Sequence, residues 1–289
     1  MTLAVAPLKG ALLISSATFI LAGMDTTTKF LVARHEIVVV LAVRFLVQAL
    51  YIAVVYGPGL GREILRTRRT GLVLLRGLSL AVTALFIALC LQRLPVAETT
   101  AIFFLTPIVI ALTAAPLLGE PRRWHHMLAA LVGFLGVLLI SMPGSGLDPL
   151  GLIFGLGAVL CNTCYQMLSR VLGATETTPA LMLYASLMGI AVFAPLAVLP
   201  ASGGEWSLLD PVLMIMVGLA SGVGHYLLTS AFRFAPASML SPISYSQLIW
   251  ASCFGIVVFS AVPSMQTIGG IVLICVAGLM LLVNMKTPA

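Results

Sequence analysis

The chain has 289 residues, 61% of them hydrophobic and 8% charged, with a formal net charge of +6 and a mean hydropathy of +1.15. Soluble domains carry about 25% charged residues, so this composition excludes a water-soluble fold and makes lipid the solvent. The positive charge does not point to nucleic acid, because the basic residues lie in short loops between apolar runs, where membrane orientation accounts for them.

Backbone polar groups in lipid must be satisfied within the chain, which leaves helices or a closed barrel. The apolar runs have the length of about 20 residues that a spanning helix needs, and they lack strand alternation. The expected fold is therefore an all-α integral membrane protein. About ten transmembrane helices are predicted in chain order, at roughly 8–33, 37–57, 71–93, 97–118, 125–143, 150–173, 178–200, 210–235, 239–260 and 265–285. The first run leads into Gly23-Met24-Asp25 rather than into a cleavage site, so it reads as a retained span. Lys9, Arg62, Arg66, Arg68, Arg69, Arg76, Arg122, Arg123, Arg170, Arg233 and Lys286 fall on one side, against Lys29, Arg34, Arg44 and Arg93 on the other. This bias places both termini in the cytoplasm, with the chain multi-pass in the plasma (inner) membrane. The five cysteines lie inside predicted spans and read as packing thiols, not as a disulfide framework or metal site.

The stretch Phe86 to Ile140 holds two long apolar helices and the end of a third, with turns at Arg93-Leu94-Pro95 and Gly119-Glu120-Pro121. The plan returns from Tyr226 to Leu281 at a shift of 141 positions, with few identities. The chain thus divides into two five-helix repeats, 1–143 and 148–289. Five is odd, so the second repeat runs in the opposite sense to the first, an arrangement that puts a substrate site near the midplane between the repeats.

With Ala88-Leu89, the turn at Pro95, Leu105-x-Pro107, Gly119-Glu120 and Gly136-Val137, the chain resembles the EamA-type members of the drug/metabolite transporter superfamily. The resemblance covers nearly the whole chain. It implies export of small metabolites, with the terminal helix of each half peripheral. The second half departs from the pattern, with Ser260-Ala261 at the second Gly-Glu position and Leu248 at the second proline.

Polar side chains at membrane depth are costly, so they face a cavity or one another. Asn162, Tyr165, Gln166 and Ser169 share a helix face in the sixth span, and Ser221, His225 and Thr229 share one in the eighth. Ser241, Ser244, Tyr245 and Ser252 cluster in the ninth, and Ser79, Thr83, Phe86 and Cys90 in the third. The expected substrate contacts are Asn162, Tyr165, Gln166, His225, Thr229, Ser244, Tyr245 and Thr83, with Phe86 and Phe103 as apolar walls. Asp25, Lys29, Arg93, Arg170 and Arg233 are the expected pathway charges, the cations lying towards the two mouths. The competing readings are helix–helix hydrogen bonding, at about 0.6 kcal/mol per contact, snorkelling for the cations, and an ion pair between Asp25 and Lys29. Glu98 reads as interfacial and Thr267 as peripheral.

The sequence carries neither a phosphate-binding Gly-rich Lys-Ser/Thr loop nor a His-Glu-x-x-His or Gly-x-Ser-x-Gly motif. ATP-driven pumping and the rival reading, an intramembrane enzyme, therefore lack support, and no cofactor or metal is expected. The reading is a non-enzymatic secondary transporter or facilitator that works by alternating access as a monomer. Amino acids moving out of the cell are the favoured substrates, because amide, hydroxyl and aromatic groups with a few charges suit a zwitterion with an apolar side chain. Other amphipathic metabolites or drugs are the alternative. Phosphorylated substrates call for several deep cations.

Overall fold

A computed structural model describes residues 7–118, 124–140, 148–173, 175–197, 206–231, 234 and 243–283. The helices are α1 (Pro7–Val32), α2 (Ile37–Leu60), α3 (Thr70–Arg93), α4 (Val96–Phe103), α5 (Thr106–Leu118), α6 (Trp124–Ile140), α7 (Pro149–Leu172), α8 (Thr178–Ala197), α9 (Leu209–Ala231), α10 (Ser246–Phe259) and α11 (Met265–Val283). Six of them are long and apolar enough to cross a membrane, and four shorter apolar segments accompany them.

Helix α2 shows why lipid is the solvent. It buries Arg44 and Gln48 beside Phe45 and Ile52, and it exposes Leu46, Leu50 and Val54 on the opposite face. In water that amphipathicity would be inverted; in lipid the apolar face costs nothing and the polar face needs the interior. Helix α7 repeats the pattern, exposing Ile153, Leu156 and Leu160 while burying Asn162.

The predicted fourth span, 97–118, is not one helix. It breaks at Phe104 and Leu105 into α4 and α5. Pro107 has no N–H for the Phe103 carbonyl, and the Thr106 hydroxyl donates to that oxygen instead at 2.8 Å. The ninth predicted span behaves alike within the described residues: 243–244 are helical, Tyr245 is not, and α10 follows. Phe104 and Tyr245 are 141 positions apart. Their rings meet at a centroid distance of 4.8 Å, so the two interruptions touch each other inside the bundle.

The same shift relates packing partners. Helix α3 packs on α7 and α8 as α9 packs on α1 and α2. A methyl group on Gly77 would come within 2.8 Å of Met188 Cγ and 3.2 Å of Ala185 Cα, and one on Gly218 within 2.5 Å of Val47 Cβ and 2.9 Å of the Arg44 carbonyl. Gly77 with Gly218, Val47 with Met188 and Arg44 with Ala185 are all 141 apart. Small residues therefore allow the equivalent close crossing in both halves. Helices α6 and α11 pack on each other through Gly136 and Gly270; a methyl on Gly270 would sit 2.6 Å from the Gly136 carbonyl.

The ends are closed by capping. Asp148 accepts from the Leu150 amide at 3.0 Å ahead of Pro149, a good N-cap followed by proline at the first helical position. Glu176, in the turn after α7, accepts the Arg68 and Arg69 amides at 2.9 Å and so fastens the turn before α3. Ser260 ends α10 in the left-handed region at φ 53°, where its amide reaches the Ile256 carbonyl.

Candidate functional site

The polar groups of the interior form three layers along the bundle. In the middle, Arg44 of α2 is buried and directs Nε and Nη2 to the Ser221 hydroxyl of α9 at 3.3 and 3.2 Å. Ser221 donates in turn to Gln48 Oε1 at 2.9 Å. Asp25 of α1 lies within electrostatic range of Arg44 and receives a long hydrogen bond, 3.5 Å, from Gln247 of α10. His225, one turn beyond Ser221, lies within electrostatic range of both Arg44 and Arg76. Across the interior, Asn162 of α7 donates to the Thr106 hydroxyl at 3.3 Å, just past the break between α4 and α5. Gln166 lies one turn further on the inward face of α7 and is exposed, while the lipid stripe of that helix runs through Ile153, Leu156 and Leu160. Its accessibility is therefore to the interior.

Towards the α7–α8 turn, Arg76 of α3 is buried and three-way bonded. Nε donates to Ser169 Oγ at 2.6 Å, Nη1 to the Leu181 carbonyl at 2.8 Å and Nη2 to Tyr165 OH at 2.8 Å. The guanidinium also lies 4.3 Å from the Tyr165 ring centroid, a cation–π contact. Tyr165 is thus the partner of an arginine.

Towards the opposite end, Lys29 donates to the Leu91 and Leu94 carbonyls at 2.6 and 2.7 Å. These are terminal carbonyls of α3, which lack intrahelical donors and carry the negative end of the helix dipole. Lys29 therefore does not form the expected ion pair with Asp25. Glu98 is buried rather than interfacial; Thr267 of α11 is also buried and donates to Oε1 at 3.1 Å. Thr267 is therefore a helix-to-helix contact rather than a peripheral residue, and among the described residues Glu98 Oε2 has no hydrogen-bond partner.

The other expected residues are placed as follows. Thr83 spends its hydroxyl on its own helix, donating to the Ser79 carbonyl at 2.7 Å. Phe86 packs against Phe154, with ring centroids 6.2 Å apart, and over Gly157. Phe103 and Ser244 are half-buried. The Tyr245 hydroxyl is buried and has no hydrogen-bond partner among the described residues. Arg93 is exposed and pairs with Asp148, joining the end of α3 to the start of α7, and its guanidinium holds the Asp148 carboxyl below the usual carboxylate range. The Thr229 and Arg170 side chains, and Arg233, lie outside the described residues.

Sequence reasoning missed Arg44 and Arg76 by counting them with the mouth and loop cations. Each lies about two turns inside its helix and is buried. The signal was present: an ionisable residue inside a span is a functional candidate by default. A recess of ≈ 740 Å³ lined by Glu63, Arg66, Thr67 and Tyr184 opens at the α7–α8 turn end of the bundle.

Comparison with known proteins agrees with this architecture. Residues 8–142 and again 149–283 match the EamA-like transporter family. An uncharacterized transporter of Helicobacter pylori (strain ATCC 700392 / 26695) is 26% identical over 198 residues, which span 66% of each chain. An S-adenosylmethionine uptake transporter of Rickettsia bellii (strain RML369-C) is 25% identical over 91% of this chain and 89% of its own. A pseudopaline exporter of Pseudomonas aeruginosa (strain UCBPP-PA14) is 28% identical over 71% of this chain and 72% of its own. A protein of solved crystal structure has the same fold, with a TM-score of 0.68 at 20% identity over 96% of this chain and 98% of that one.

Proposed function

We propose, from the premise that the chain belongs to the EamA-like transporter family and is a multi-pass membrane transporter, that it is a facilitator carrying amino acids across the plasma (inner) membrane by alternating access. Net movement is outward when the cell holds the higher concentration. The observation that supports this reading is the polar interior: Gln247 of α10 reaches Asp25 of α1 at 3.5 Å, Asp25 and His225 of α9 both lie within electrostatic range of Arg44, and Asn162 of α7 is buried on Thr106 with Gln166 one turn further. Amides, an imidazole and a carboxylate suit a small zwitterion, and an exposed interior glutamine is a group a substrate can reach. The long helices and the shorter apolar segments make ten spans in this reading, arranged as two inverted repeats, 1–143 and 148–289, in one chain that needs no second copy. The relatives include an uptake transporter and an exporter, so direction follows the gradient rather than the fold. The test is transport of a panel of labelled amino acids by the purified protein in liposomes, with and without a pH gradient. Saturable uptake in both conditions is expected; strict dependence on the proton gradient would overturn the uncoupled mechanism, and no uptake of any amino acid would overturn the substrate class.

Both termini are placed in the cytoplasm by the Lys/Arg bias. In a variant with the native cysteines replaced, a cysteine at position 66 should react with a membrane-impermeant maleimide only from inside the cell, and one at position 207 only from outside. The reverse pattern would invert the assignment.

A further inference from the structure

Arg44 and Asp25 are set apart rather than paired. Among the described residues, no carboxylate lies within 4.0 Å of the Arg44 guanidinium, although it is buried. Its only hydrogen-bond partner there is one hydroxyl, Ser221, shared between Nε and Nη2. A buried guanidinium with five N–H donors and a full charge is poorly compensated by one serine. Asp25, the opposing charge that Arg44 senses, is half-buried and has among the described residues one hydrogen bond, 3.5 Å long, from Gln247. The two groups sense each other electrostatically without touching.

The internal repeat supplies a control. The positions 141 residues from Arg44, Gln48 and Ser221 are Ala185, Gly189 and Leu80. In the equivalent α3–α8 crossing Ala185 lies against Gly77, while Gly189 lies against the Phe45 ring of α2. The positions equivalent to Arg44, Ser221 and Gln48 are apolar there, and the bond between α3 and α8, from Arg76 to the Leu181 carbonyl, comes from other positions, so close helix packing does not require the Arg44–Ser221–Gln48 chain. The position matching Asp25 is Gln166, which is also uncharged. The charges belong to one half only, and what they add is chemistry rather than packing.

Taking amino-acid transport as its basis, we infer that Arg44 and Asp25 form a clamp for the zwitterionic head group, with the substrate carboxylate on Arg44 and its ammonium on Asp25. An α-amino acid carries its two charges two bonds apart, so it can bridge opposing groups that do not reach each other. The planar guanidinium fork accepts a carboxylate on two parallel N–H donors. Ser221 and Gln48 hold the arginine, and Gln247 holds the aspartate. His225 lies within electrostatic range of Arg44, while Arg76 is held apart by its bonds to Ser169, Tyr165 and the Leu181 carbonyl.

The test is competition for uptake of labelled L-leucine into liposomes by unlabelled L-leucine, L-leucine methyl ester and N-acetyl-L-leucine. The clamp requires both blocked forms to compete at least about tenfold more weakly than leucine. Variants then separate the two ends. Arg44→Gln should lose the discrimination against the ester but keep that against the N-acetyl form, and Asp25→Asn should do the reverse. A residue that only holds the bundle would lower both together. If leucine is carried but the ester or the N-acetyl form competes as well as leucine does, the clamp is wrong while the amino-acid reading stands. If no labelled amino acid is carried, both fall. The wild-type competition decides the matter even where a variant does not fold.

Discussion

Arg76→Leu is expected to destabilise the protein by about 2–4 kcal/mol and to lower transport with it. The side chain joins three helices: it starts on α3, bonds Ser169 and Tyr165 on α7, and bonds the Leu181 carbonyl on α8. Hydrogen bonds from a charged donor contribute about 1.5–3 kcal/mol each. Against that stands the desolvation of a buried guanidinium, several kcal/mol, which leucine does not incur. The balance is less than the sum of three bonds but remains unfavourable, because the Tyr165 hydroxyl is left inside without its donor. Arg76→Lys keeps the charge but not the three-way fork and should fall between leucine and wild type. Thermal unfolding of the purified variants in detergent measures the order. A double-mutant cycle with Tyr165→Phe should return a coupling of about 1–2 kcal/mol. A leucine variant as stable as wild type would remove Arg76 from the framework and leave it free to be a substrate ligand.

The sequence carried the span lengths and the 141-position correspondence, because both depend on local features: apolar runs of membrane length, and prolines and glycines at turns. That correspondence extends to Gly77 and Gly218, which the turns alone did not single out. The buried charges were harder to read. Counting Lys and Arg for orientation treats every cation within a few turns of a helix end as interfacial, and the long arginine side chain can snorkel. Arg44 does not, since it shares the buried face of α2 with Gln48 and Ile52, opposite the exposed Leu46, Leu50 and Val54. That four-residue spacing was legible and outweighs depth along the helix. The Glu98–Thr267 contact was not legible, because it joins α4 to α11 across 169 positions and no local pattern reports it. The break at Phe104 was half legible: Pro107 marked the place, but only the structure shows Thr106 taking the orphaned carbonyl and Phe104 meeting Tyr245.

Pro107→Ala is expected to make the protein more stable and a slower transporter. In the wild type, Leu105 donates to Ile102 at 3.0 Å and Ile108 to Leu105 at 2.9 Å, so the chain passes from α4 to α5 through tight three-residue closures. The Phe103 carbonyl accepts from the Thr106 hydroxyl in place of the missing amide. Alanine at 107 supplies the missing N–H and removes the ring that blocks a continuous helix, a change that favours the joined form by about 1–3 kcal/mol. In the proposed cycle the two interruptions, in contact at Phe104 and Tyr245, are where the halves bend against each other. Hinges of this kind lie at element ends, where a few residues absorb the change in backbone angles. Whatever stabilises the joined form without stabilising the bent one adds to the barrier, and about 1.4 kcal/mol slows the step tenfold. Leucine counterflow into liposomes, set beside the melting temperature of the same preparation, reads both quantities. Higher stability with an unchanged transport rate would show that the break does not move during the cycle.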